Sequence, residues 1–144
     1  MKIFFPLAII VTLLSTNWLS AHCQVPCGVY GDSARFTQML EDQTTIAKAI
    51  AQINDLADKK DGKSANQLAR WVSTKEDHAN KIQKIIAEYF LTQRIKSSSA
   101  KYEDLLKGAH SVMVAAMKCK QGTDPISADA LKSAIENFQA VYEK

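Results

Sequence analysis

Cysteine is scarce in this chain: there are three in 144 residues, and two of them, Cys23 and Cys27, sit close together near one end. A secreted scaffold built on disulfides spreads more cysteines through a shorter chain, so cross-links do not hold this fold together. Glycine and proline are also few, five and three, which leaves long stretches without helix breakers. No run of β-branched or aromatic residues alternates with polar ones, and that excludes a sheet as the main architecture. Neither sign of charge dominates, with 18 Lys+Arg against 15 Asp+Glu. There is no basic stripe dense enough for nucleic acid and no acidic tail. Internal repeats and low-complexity segments are absent, and the length suits one domain around one core.

The one long apolar run lies at the start. Lys2 precedes an apolar stretch from Ile3 to Leu14, and small Ser20 and Ala21 close the segment. That pattern predicts a secretory signal over residues 1–21, cleaved to leave His22 first. A membrane anchor needs about 20 unbroken apolar residues, whereas Ser15, Thr16 and Asn17 interrupt this run early. Lipidation of Cys23 would want a small residue before it, and His22 stands there instead. The expected destination is therefore outside the cytoplasm, periplasmic or extracellular, with no membrane association after cleavage and with residues 22–144 as the working domain.

Beyond Tyr30 the apolar residues recur at helical spacing. Asp32 or Ser33 can cap a first helix carrying Phe36, Met39, Leu40, Ile46, Ile50, Ile53 and Leu56, which the cluster Lys59-Lys60-Asp61-Gly62 ends. A second helix carries Leu68, Trp71, Val72, Ile82, Ile85, Ile86, Tyr89, Phe90 and Ile95 and stops near the serines at 97–99. A third runs from Tyr102 through Ala116, and after Gly122 and Pro125 a fourth carries Leu131, Ile135, Phe138 and Val141. Short connections between four helices predict an all-α antiparallel four-helix bundle over 33–144. Residues 22–30 stand before it as a hook.

Within that hook, the His22 amine and imidazole, the Cys23 amide and thiolate and the Cys27 thiolate come within reach of one ion, because the Pro26-Cys27-Gly28 turn can fold the segment back. Two thiolates and two nitrogens in a plane suit nickel(II) or copper(II), while zinc would want a tetrahedron and a fourth side chain that is not evident nearby. Thiolate and deprotonated amide push charge onto the metal and bring a higher oxidation state within reach. Such a site does one-electron chemistry on a small substrate.

The segment His22-Cys23-x-x-Pro26-Cys27-Gly28-x-Tyr30, first in the processed chain and followed by a four-helix body, closely resembles the nickel-containing superoxide dismutases. The resemblance implies a homohexamer of four-helix bundles, one nickel ion (Ni2+/Ni3+) per chain, and disproportionation of superoxide to dioxygen and hydrogen peroxide. It assigns His22, Cys23 and Cys27 as metal ligands and sets Tyr30 over the open face. Gln24 stands where many relatives carry aspartate. The resemblance also implies a carboxylate from the first helix and a cation from the second beside the axial imidazole. Glu41 is the expected carboxylate, with Gln38 and Asp42 as alternatives, and His78 falls at the position of the cation.

Other residues carry blander expectations. Cys119 is expected to be a free thiol, His110 a surface residue, and Trp71, Tyr89 and Phe90 core or subunit-interface residues. Met39, Met113 and Met117 are expected to fill core space. Lys75, Lys81, Lys84 and Arg94 could together draw an anion inward. Two other functions fit the residues: an exported nickel- or copper-binding module without turnover, and a structural helical domain in which Cys23 and Cys27 close a small disulfide.

Overall fold

The computed structural model describes residues 31–144. Four α-helices follow one another: α1 (Asp32–Leu56), α2 (Gly62–Lys84), α3 (Tyr102–Gln121) and α4 (Pro125–Tyr142). α2 passes directly into a π-helical segment, Ile85–Arg94. Each helix packs against its neighbours in sequence, and α1 packs against α4 to close the ring. With connections this short, the helices alternate up and down around one core. Hence Asp32, Arg94, Tyr102 and Tyr142 gather at one end of the bundle, and Leu56, Gly62, Gln121 and Pro125 at the other.

Local chemistry sets the helix boundaries. Asp61 ends one connection by capping α2, accepting from Ser64 N at 2.9 Å, and Asp124 caps α4 through Ile126 N at 2.9 Å with Pro125 at the first helical position. α1 departs from expectation. Its N-cap is Gly31, with extended backbone and no side-chain cap. Neither Asp32 nor Ser33 caps it, because the Asp32 carboxylate is spent on other partners.

The core is aromatic at the end where α1 begins. Phe36, Phe90 and Phe138 are completely buried. Ring centroids lie 4.8 Å apart for Phe36 and Phe90, 5.0 Å for Phe90 and Phe138, and 5.2 Å for Phe90 and Tyr142. Three separate helical elements thus meet in one cluster, and truncating one such ring costs about 3–5 kcal/mol. Toward the other end, aliphatic Ile46, Ile50, Ile82, Val112 and Leu131 take over. Gly108 lets α3 approach α4, since a Cβ there would lie 2.9 Å from Phe138 Cδ2.

Met39 belongs to the core, while Met117 is exposed and Met113 lines the core's edge. Trp71 is half-buried at the surface of α2, with Lys48 Nζ 5.9 Å from its ring centroid. His110 is exposed, as its position on the outer face of α3 predicts.

Candidate metal centre and its supports

The hook residues His22, Cys23, Cys27 and Tyr30 lie outside the described residues. Among the described residues no group of three or more His, Cys, Asp or Glu side chains could hold a metal ion. Cys119, the third cysteine, is buried and unbridged. Its Sγ donates to Ser127 O at 3.2 Å, and burial pushes the thiol upward in pKa, which makes it a poor nucleophile.

One of the candidate carboxylates of α1 and the candidate histidine of α2 form a pair. His78 Nδ1 lies 2.6 Å from Asp42 Oδ1. An ionised carboxylate can only accept, so the proton in this bond sits on Nδ1. The α1 carboxylate paired with His78 is Asp42, one of the alternatives the sequence leaves beside Glu41. α1 buries Phe36, Met39, Asp42, Gln43, Ile46, Ala49 and Ile50; position 42 is three after Met39 and four before Ile46, on the inward stripe. One residue earlier, Glu41 is turned about 100° away and is exposed. Gln38 is exposed as well and accepts from Arg35 Nη1 at 2.8 Å. The signal for Asp42 was present in the sequence: it is the acidic residue that keeps the helical period of the apolar ones.

Asp42 is only 6% exposed, and its second oxygen, Oδ2, is buried without a hydrogen-bond partner. A buried carboxylate oxygen left unpaired costs free energy, so its persistence points to a donor that the described residues do not supply. The His78 side chain keeps 23% of its surface. The pair is therefore half open.

A second polar cluster lies where the chain enters α1. Asp32 Oδ1 accepts from the Tyr89 hydroxyl and from Arg94 Nε at 2.9 Å, and Oδ2 accepts from the Tyr142 hydroxyl at 2.7 Å. Arg94 Nη2 also donates to Tyr89 Oη at 3.0 Å. Burial works against the Asp32 charge, yet the tyrosine bonds and the Arg94 guanidinium outweigh it and hold the carboxyl below its ordinary range. Burial and the adjacent carboxylate push both tyrosines the other way, so they remain protonated donors. Tyr89 is thus a core residue with a polar task, which its place in an apolar stripe concealed.

The four basic residues do not act as one field. Lys75 is 3% exposed and donates to the carbonyls of Cys119, Lys120 and Gly122 at 2.6, 2.7 and 3.2 Å, closing the C-terminal end of α3. Arg94 is committed to Asp32. Only Lys81 and Lys84 of that set face solvent freely enough to attract an anion.

Compared with known protein families, residues 17–144 match the family described as nickel-containing superoxide dismutase. The chain belongs to that family. No curated protein and no solved structure matches it. As a nickel-containing superoxide dismutase, the chain is an oxidoreductase with a nickel cofactor, and superoxide is its substrate. The match begins ahead of His22 and runs through α4, so it spans the hook and the whole bundle.

Proposed function

We propose that the nickel of this dismutase is held by His22, Cys23 and Cys27, with Asp42 and His78 orienting the His22 imidazole and Tyr30 guarding the open face. The donor chemistry supports the ligand set: an amine, an amide nitrogen and two thiolates would suit nickel(II). Bound nickel supplies the one-electron cycling that turns two superoxide ions and two protons into dioxygen and hydrogen peroxide. The protein's part is to keep the donors deprotonated, to aim the imidazole and to deliver protons. A free amine at His22 requires cleavage after Ala21, so we further propose that residues 1–21 are removed on export to the periplasm or the medium. We also propose that the bundles assemble as homohexamers. No helix among the described residues is long and apolar enough to cross a membrane.

The observation that carries the orienting role is the buried, unpartnered Oδ2 of Asp42 beside His78. An imidazole N–H from His22 is a donor of the right kind for it, and a carboxylate behind a metal-bound histidine fixes ring orientation and raises its basicity. Asp42→Asn keeps the shape and weakens the acceptor. At matched nickel content its superoxide turnover, followed by pulse radiolysis, is expected to fall roughly 10- to 100-fold, with an altered paramagnetic resonance spectrum of the oxidised metal. Glu41→Gln, made in parallel, should stay near the unmodified protein. Unchanged turnover and spectrum in Asp42→Asn would remove Asp42 from the site.

A further inference from the structure

α3 carries two methionines that the core does not fully use. Of the four in the chain, Met39 is completely buried, whereas Met113 only edges the core and Met117 leaves 40% of its surface in solvent. A single exposed thioether needs no explanation. These two, however, share a helix face with a histidine. His110, Met113 and Met117 stand at i, i+3 and i+7 of α3, within about 60° of one another at 100° per residue. Residues three or four apart on a helix have Cβ atoms about 5–6 Å apart, so Met113 lies between the other two and beside each. His110 is exposed, and its ring takes part in no hydrogen bond or ion pair among the described residues. The backbone beneath is tied to α2, where Gln83 Nε2 donates to Met113 O at 3.1 Å. Of the lysines that follow, Lys120 is drawn away to Asn80 Oδ1 at 2.6 Å, and Lys118 is turned about 100° from Met117.

We propose that His110, Met113 and Met117 form a copper(I) site on the outer face of α3, with one imidazole nitrogen and two thioether sulfurs around a cuprous ion and with none of the residues proposed for the nickel. The donors select the ion. Thioether sulfur is soft and suits cuprous copper, and imidazole suits copper in either state. Zinc takes thiolate, imidazole or carboxylate, while calcium and magnesium take oxygen, so a pair of thioethers disfavours all three. The spacing allows one ion to meet all three side chains. His110 and Met117 are about 10.5 Å apart along the axis, which leaves an ion over Met113 about 5 Å from the level of each, within the span of an imidazole arm and a flexible thioether chain. Met113, packed against the core, supplies the fixed donor, and the two exposed side chains close over it from either side. Soft neutral donors favour the lower oxidation state of copper, so the site holds an ion and does not cycle it.

The test uses the full nickel-loaded protein with methyl-labelled methionine, titrated without oxygen with copper(I) against a chromogenic copper(I) chelator, and in parallel with silver(I) as a redox-inert stand-in. Uptake of about one cuprous ion per chain beyond the nickel is expected, following the one site present. The methyl resonances of Met113 and Met117 should shift together with either ion, and that of buried Met39 should stay in place. Met113→Leu and Met117→Leu keep the apolar volume and remove the sulfur; His110→Gln removes the imidazole at an exposed position. Each should weaken copper(I) binding about 10- to 100-fold, no less than the loss of a partner behind a metal ligand, with nickel content and superoxide turnover unchanged. Should Met113→Leu disturb packing and lower the denaturant midpoint, the exposed His110 and Met117 variants still decide. No uptake beyond the nickel would overturn the proposal. Uptake that leaves both methyl resonances in place, or that is equally tight in the His110 and Met117 variants, would do the same by putting the ion on donors elsewhere, such as the cysteine thiolates. A shift of one methionine alone would also overturn it, since that is a single thioether contact and not a three-donor site.

Discussion

Lys75 shows how much one side chain can settle. Its ammonium is buried, and it is tolerated there because three carbonyls at the end of α3 and the Glu76 carboxylate at 3.3 Å surround it. Those carbonyls are among the last of the helix and have no partners within it. Lys75→Met keeps the apolar stem and removes the donor, leaving the carbonyls unpaired beside an apolar wall. A loss of about 2 kcal/mol is expected, read as a lower denaturant midpoint with an unchanged slope. No loss would mean that water replaces the ammonium. Asp42 is the opposite case, a buried acceptor with one oxygen left unpartnered among the described residues. The burial of each went unread in the sequence for the same reason: charged residues in a mixed helix read as solvated until their position on the apolar stripe is counted.

At the scale of elements, the four helices were legible to within a few residues. Apolar period and breakers agree along the whole bundle, so local preference and tertiary packing point the same way. The π-helical end of α2 was not legible. A pattern search at 100° per residue treats Ile85, Ile86, Tyr89 and Phe90 as an ordinary α stripe, and nothing in composition announces the wider turn that pairs Tyr89 with Arg94. Hydroxyl and amide side chains mark it after the fact: Thr92 Oγ1 and Gln93 Nε2 donate to carbonyls five residues back, at 2.7 and 2.9 Å. The contact between α3 and α4 offers a sharper test. Alanine at position 108 would gain about 0.8–1.0 kcal/mol of helix propensity over glycine. Its methyl would press on the ring of Phe138, which is fully buried and has nowhere to retreat, and overpacking costs about 1–3 kcal/mol. Gly108→Ala is therefore expected to lower the melting temperature; a rise would show that the ring gives way.

For the molecule as a whole, the hook and the bundle were read by different signals. The hook is a dense motif in which residue type, spacing and position must agree, and together with the four-helix body behind it that motif carries the resemblance to the family. The bundle supplied only a class of fold, and the Asp42–His78 pair emerged from a contact far apart in sequence. The acid limb of stability joins the two ends of the chain. Asp32 is held below its ordinary pKa in the folded protein, so its contribution is complete above the unfolded value of about 3.9 and is lost as pH falls through the lower folded value. The native protein should accordingly exceed Asp32→Asn in unfolding free energy at about pH 6, and the gap should narrow at a second pH, well below the ordinary carboxylate range. Denaturant titrations at the two values would show it, and an equal gap at both would mean that the carboxylate charge contributes nothing.

Asp32 and Tyr142 lie 110 residues apart, and this separation has a consequence for birth of the protein on the ribosome. Synthesis at about 5–20 residues per second puts roughly 5–20 seconds between the emergence of one partner and the other. The start of α1 is held by a residue made almost last, so no nascent chain that stops short of α4 can complete the Asp32–Tyr142 bond. Release of the finished polypeptide becomes the clock that times it.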